Sequence, residues 1–381
     1  MSGPEAALAR LLDFSAPMDV ALLDSLVEEF YRTGNDAIQR VLNQFWQHEL
    51  TWTRVDQIIE QSSSTYSRLN ALTVLTDTIK TRWSAIPADH RSGIRNFIVD
   101  RVLKLSGDGA QYPPAEASMR KQLLKALNLA LVHIVKHEWP LQWPSFIPDL
   151  VESSKTSQSI CANNMQILLL LSEEIFDYSR GQMTSDKVHT LKTSLNAEFA
   201  QIYQLCEYVL NESDNGALLT STLQCLLRFL RWIPVEFIFN TKLVETLALK
   251  FFPVGLFQNL ALQCLCEVAV LDLPQKPEFN PIFVAMLIAV MDQVYKVLPP
   301  EVDIAALYND GDDNVQTYLR HLAIFITDFL RTRLNLVESA TEESPRYLLS
   351  ALAMLQRLSL IDDQVRALYI QAIFKFSIII L

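Results

Sequence analysis

Glycine is nearly absent, with 9 in 381 residues, against roughly 7% in average proteins. So few positive-φ positions leave little room for hairpin-rich β architecture or for a glycine-rich phosphate loop. Charge is also sparse, at 20% of residues, but half the residues are hydrophobic, which excludes a disordered chain. Basic residues are outnumbered, giving a net charge of −11. That balance argues against a general nucleic-acid binder, which needs a basic face to release counterions. The longest apolar run is Ile282 to Met291, half the length of a membrane span, so no membrane insertion is expected. The opening MSGPEAALARLLDFS has no basic region followed by an apolar stretch, so no signal peptide is expected. The cysteines are Cys161, Cys206, Cys225, Cys264 and Cys266. An odd set inside apolar helical patterns reads as reduced core thiols.

What is present is helical period. Val315, Tyr318, Leu319, Leu322, Ile326, Phe329 and Leu330 recur at steps of three and four, as do Phe199, Ile202, Tyr203, Cys206, Val209 and Leu210. No stretch sustains period two. Ile86-Pro87, Tyr112-Pro113, Trp139-Pro140, Ile233-Pro234, Phe252-Pro253, Leu273-Pro274, Leu298-Pro299 and Ser344-Pro345 punctuate the pattern, because a pre-proline residue is biased out of the helical region. The segments fall into antiparallel pairs: 36–49 with 53–61, 65–83 with 88–106, 116–138 with 143–154, and 157–178 with 184–211. They continue as 216–230 with 240–251, 255–270 with 278–297 and 313–333 with 346–359, then 362–376 unpaired. This spacing brackets the roughly 40–47 residues of HEAT and armadillo units. The predicted fold class is all-α, an α-solenoid of HEAT-like antiparallel helix pairs.

No residue set announces chemistry. His133 and His137 share a helix face but lack a third ligand, and Cys264-Leu265-Cys266 cannot face one ligand sphere. Asn309 to Asn314 lacks the order of a calcium loop and reads as an acidic turn capping the next helix. No Ser/His/Asp set, carboxylate pair or Walker loop is visible, so no enzyme, no metal and no cofactor are expected. The strongest local signal is Trp139, Pro140, Trp143 and Pro144 in EWPLQWPSFIPDLV, a structural corner that pins two helices by burying an indole.

That stretch resembles the corresponding corner of nuclear transport receptors of the importin-β (karyopherin) superfamily, and the neighbouring text resembles its exportin-1-like family. The matching segments are LLDFS (11–15), TWTRVDQIIE (51–60), IKTRW (79–83), NNMQILLLLSEEIFDYSRGQ (163–182) and LLRFLRWIPVEFIFNTKL (226–243). The resemblance implies a helical lead-in at 1–35, an importin-β amino-terminal-like region at 36–106, HEAT repeats at 107–370 and a divergent apolar tail at 371–381. It also implies a receptor shuttling between nucleus and cytoplasm in export of proteins with leucine-rich signals. Its partners would be the GTPase Ran in its GTP form and nuclear pore proteins. A HEAT-type scaffold or adaptor for a non-GTPase partner is the alternative reading. The family uses the second helices of its first repeats for the GTPase. Helical geometry then offers Thr53, Gln57 and Glu60 opposite Val55, Ile58 and Ile59. It offers Ser92, Asn96 and Asp100 opposite Ile94, Phe97 and Ile98, and Ser145, Asp149 and Glu152 opposite Phe146, Ile147, Leu150 and Val151. The export-signal groove and the acidic GTPase-gripping loop belong to later repeats, so cargo binding is expected only of a longer form. The run Phe374 to Leu381 is expected to cap the last helices incompletely and to drive self-association.

Overall fold

The computed structural model describes residues 3–107, 112–176, 184–271, 277–340 and 344–380. Among them there are nineteen α-helices and no strand, so the all-α, HEAT-like α-solenoid class read from the periodicity is the observed one. The chain divides into two compact units, 1–195 and 196–381.

The first unit opens with α1 (Pro4–Leu11), α2 (Val20–Thr33) and α3 (Asp36–Gln47). A 3-10 turn at Thr51–Arg54 leads into α4 (Val55–Gln61), followed by α5 (Thr65–Arg82) and α6 (Ala88–Gly107). Then come α7 (Pro114–Glu138), α8 (Phe146–Ser154) and α9 (Gln158–Phe176). α10 (Ser185–Glu212) starts in this unit and ends in the second. Sequence-local chemistry sets many of these boundaries. The side chains of Asp19, Asn35 and Ser64 accept hydrogen bonds from first-turn amides of α2, α3 and α5. Gly34, at φ 65°, ends α2 in the left-handed conformation, the one positive-φ glycine among the described residues.

The pairing differs from the sequence reading by one step. In the first unit α4 packs on α5, α6 on α7, and α8 on α9. α5 and α9 also flank α7. The links after α5 and α7 carry Trp83 to Pro87 and Trp139 to Ser145. The helix read as 143–154 begins at Phe146, and Ser145 precedes it.

The second unit continues with α11 (Gly216–Phe229), α12 (Glu236–Phe239) and α13 (Leu243–Glu245). The segment 240–251, expected to be one regular helix, instead turns into a π-helix at Thr246–Phe251. Its wider turn, closed by Phe252 N donating to Leu247 O at 2.9 Å, accompanies burial of the adjacent rings of Phe251 and Phe252. Next are α14 (Gly255–Ala269), α15 (Asn280–Val297), α16 (Ile304–Asp310), α17 (Asp313–Ala340), α18 (Ser344–Leu358) and α19 (Asp363–Ile380). α11, α14, α17 and α19 pack in succession, and α15 packs on α17 and α18. α19 is not unpaired, since it lies against both α17 and α18 and buries Val365 and Ala372. The backbone of 374–380 continues α19 rather than folding back, and the expected cap made by its side chains lies outside the described residues. Leu273-Pro274 lies outside them too. Asp312 accepts from the amides of Asn314 (3.1 Å) and Val315 (3.0 Å), so the acidic turn is the cap of α17. By length and composition Pro277–Val297 is apolar enough to cross a membrane, which the count of uninterrupted apolar residues missed. Here its side chains Phe283, Leu287, Val290 and Val294 are buried in the packing with α17 and α18.

Candidate partner-binding face

The residues singled out for partner contact lie on α4, α6, α8 and the turns that lead into them. The inward faces follow helical geometry in part. Val55, Ile58, Ile59, Ile98, Phe146, Ile147 and Leu150 are buried, whereas Ile94, Phe97 and Val151 are only half-buried. Ile94 and Phe97 instead line a cleft of about 350 Å³ with Trp52, Thr53, Val55, Asp56, Leu75, Asp89, His90 and Gly93. A second cleft of about 130 Å³ lies beside α6 and α8, bordered by Val99, Leu103, Trp143, Phe146 and Asp149 among others.

The nine polar residues differ in how free they are. Thr53 is exposed and its hydroxyl donates to Leu50 O at 2.7 Å. Gln57 is half-buried, and its Oε1 accepts from Met18 N at 3.3 Å. It is thus engaged in holding the segment before α2, which a helix-face argument cannot detect. Glu60 receives Arg101 at 2.6 Å. Asp100 lies 3.4 Å from Arg101 Nε and 2.9 Å from Lys104 Nζ. Arg101 therefore joins Glu60 and Asp100 across two helices. Ser92 and Asn96 are exposed on α6. Asp149 accepts from Ser145 Oγ at 2.7 Å and from Trp143 Nε1 at 3.3 Å, and Glu152 pairs with Lys155 at 2.6 Å.

The corner is built more densely than its tryptophans suggest. Trp139 is buried, Pro140 follows it through a cis peptide bond, and Trp143 and Pro140 are half-buried while Pro144 is exposed. The Glu138 carbonyl accepts from the amides of Gln142 (2.7 Å) and Trp143 (3.1 Å). Its carboxylate pairs with Arg95 of α6 at 2.7 Å, and the Arg95 guanidinium lies 5.3 Å from the Trp143 ring. Sequence reasoning missed Trp52, Arg95, Arg101 and Glu138. The pairs Arg95–Glu138 and Arg101–Glu60 span 43 and 41 residues, and no local pattern marks such partners.

Behind this face a buried polar group links α7 and α9. Lys136 pairs with Glu174 at 2.6 Å, and His133 Nδ1 lies 4.0 Å from the same carboxylate. Burial pushes His133 down to about 4, with Glu174 opposing and Lys136, Lys80 and His137 assisting. Burial likewise lowers His137 to about 4, helped by Lys187. Both rings are thereby held neutral at pH 7. Among the described residues no group of three or more His, Cys, Asp or Glu is placed to hold a metal. The face offers carboxylates, aromatic edges and shallow clefts, a chemistry of protein recognition.

Comparison with known proteins places two families on the chain. A model described as importin-beta N-terminal domain matches residues 38–104, and one described as exportin 1-like protein matches residues 120–265. Protein EXPORTIN 1B of Arabidopsis thaliana is 43% identical over 363 residues, covering 94% of this chain and 33% of that protein. Exportin-1 of Schizosaccharomyces pombe is 40% identical over 357 residues, covering 93% of this chain and 32% of its own length. Exportin-1 of Drosophila melanogaster is 39% identical over 357 residues, again 93% of this chain and 33% of the relative. The chain spans about a third of the length of these relatives.

Proposed function

Because this chain belongs to the exportin-1 family, matching its amino-terminal part, we propose that it acts without catalysis in nuclear export, binding Ran in its GTP form through α4, α6 and α8. In this reading 36–106 is the GTPase-binding region, preceded by the helical lead-in at 1–35. The HEAT repeats of 107–370 and the tail at 371–381 follow it. The observation that carries the reading is the importin-beta N-terminal match at 38–104. That interval contains α4, the turn before it and most of α6, which present Thr53, Glu60, Ser92, Asn96 and Asp100 outward. Ser145, Asp149 and Glu152 extend the same contact along α8, and Gln57 contributes through the turn it anchors.

Nucleotide selectivity has a simple physical origin. The γ-phosphate orders the switch segments of a GTPase and hydrolysis releases them, so a face fitted to the ordered switches discriminates between the two states. In a longer form, GTPase and export cargo cooperate when both favour one arrangement of the repeats. Such a receptor shuttles between nucleus and cytoplasm and meets nuclear pore proteins on its way.

The test compares immobilised Ran·GTP with Ran·GDP against the whole chain. Saturable binding restricted to the GTP form is the expected result. Equal affinity for both states sinks the GTPase assignment and favours a scaffold for another protein.

A further inference from the structure

Arginine on this side of the first unit repeatedly meets an aromatic ring and an oxygen partner together. Arg101 lies 5.3 Å from the Phe97 ring and pairs with Glu60 at 2.6 Å. Arg95 lies 5.3 Å from Trp143 and pairs with Glu138 at 2.7 Å. Arg54 lies 5.5 Å from Phe14 and donates to the carbonyls of Asp13 (3.3 Å) and Ala16 (2.7 Å). The combination is favourable because the ring quadrupole and the anion both attract the guanidinium while the ring covers its apolar stem.

The 350 Å³ cleft has the same ingredients without a cation of its own. Trp52 and Phe97 supply rings, Ile94 and Leu75 supply apolar wall, and Asp56 and Asp89 supply carboxylates. The Trp52 ring meets His90 edge-on at 6.1 Å. Asp56 accepts from the adjacent Gln57 amide at 2.8 Å. Among the described residues no lysine or arginine forms an ion pair with Asp56 or Asp89. Of the arginines nearby, Arg54 is held by carbonyls, Arg95 by Glu138 and Arg101 by Glu60, and Arg91 of α6 is not among the residues that line the cleft. The cleft thus lies within the region matched by the importin-beta N-terminal model and carries net negative charge around apolar walls.

We infer that this cleft is a subsite for one lysine or arginine side chain of the GTPase partner. The side chain's stem packs on Trp52, Ile94 and Phe97, and its charged head is held by Asp56 and Asp89. The identity of the donor rests on the function proposed above, whereas the preference for a cation rests on the cleft alone. Neutral or acidic side chains are rejected because two carboxylates would be desolvated without compensation.

Two measurements on the full chain separate these parts. The first labels the six tryptophans with 5-fluorotryptophan, assigns Trp52 by Trp52→Phe, and titrates N-acetyl-arginine amide against N-acetyl-glutamine amide while following the 19F spectrum. The Trp52 signal is expected to shift saturably with the cation alone, and to lose that response in Asp56→Asn/Asp89→Asn with circular dichroism unchanged. No shift, or the same shift in the double variant, overturns the cation subsite. The second measures Ran·GTP affinity of the same double variant, expected to be about tenfold weaker with a shallower salt dependence. Unchanged affinity beside an intact 19F response overturns the assignment of the donor to the GTPase. Equal binding of Ran·GTP and Ran·GDP by the unaltered chain removes the parent function, and the 19F response then decides the subsite independently.

Discussion

Arg95 and Glu138 form a 2.7 Å ion pair whose carboxylate side chain is only 4% exposed. It ties the middle of α6 to the end of α7, at the point where Trp143 turns the chain toward α8. Removing one member leaves the other charge desolvated, which is costlier than the pair is favourable. Arg95→Ala is expected to destabilise the first unit by about 3 kcal/mol. Replacing both members, as Arg95→Met with Glu138→Leu, should recover much of that loss. Chemical denaturation of the single and double variants checks this, and additive losses would contradict the coupling.

Trp139 is 3% exposed, and its amide closes the last turn of α7 by donating to Val135 O at 2.8 Å. Trp139→Ala should cost about 3–5 kcal/mol through the cavity it opens. Hydrogen exchange should report lost protection in α7 and α8 first. Uniform loss across the whole chain would show that the corner is not a local element.

His133, buried, and His137, half-buried, set a pH dependence. Both have folded values near 4, below the ordinary 6.5, so the unfolded chain binds more protons between those values. Stability is therefore expected to fall as pH drops from about 6.5 toward 4, with a slope of up to about 1.4 kcal/mol per pH unit for each histidine. Thermal unfolding of His133→Gln and His137→Gln between pH 7 and 5 checks the sign, since each variant should flatten the slope.

All five cysteines are buried and outside any disulfide, and burial pushes the thiols of Cys264 and Cys266 well above their ordinary range. Thiols held protonated are poor nucleophiles. Iodoacetamide at pH 7.5 should leave the native chain unmodified and label it after denaturation, as read by intact mass. Rapid labelling of either residue in the folded state would contradict the packing of α14.

Arg357 donates to the carbonyls of Leu298 (3.0 Å), Pro299 (2.8 Å) and Val302 (2.7 Å), gathering the chain that leaves α15. Lysine cannot reproduce three donations from a planar fork. Arg357→Lys should cost about 1–2 kcal/mol, with a lowered melting temperature as the measure.

Much of the helical content was legible because burial in a helix repeats every three or four residues, although 240–251 departs from the regular helix that its pattern suggested. The caps were legible for the same local reason: Asp312 and the prolines act within one turn. The partner on which each helix packs was not, since 53–61 packs on 65–82 rather than on 36–47, and nothing within either segment encodes that choice. On the candidate face, exposure of Thr53, Ser92 and Asn96 followed from the wheel. The engagement of Gln57 by Met18 and of Glu60 by Arg101 did not, because those partners are 39 and 41 residues away.

By itself the amino-acid sequence determined that this protein is all-helical, where most of its helices start, and, through its resemblance to the importin-β superfamily, which segments to search for a partner. These are consequences of backbone sterics and of apolar spacing within a single helix. Only the tertiary structure decided that Ile94 and Phe97 open into a cleft instead of a core, and that Asp56 and Asp89 line it without a cation of the chain. Those facts depend on how far apart α4 and α6 are held by residues elsewhere in the unit, and pairwise distances between segments are set by packing of all of them together.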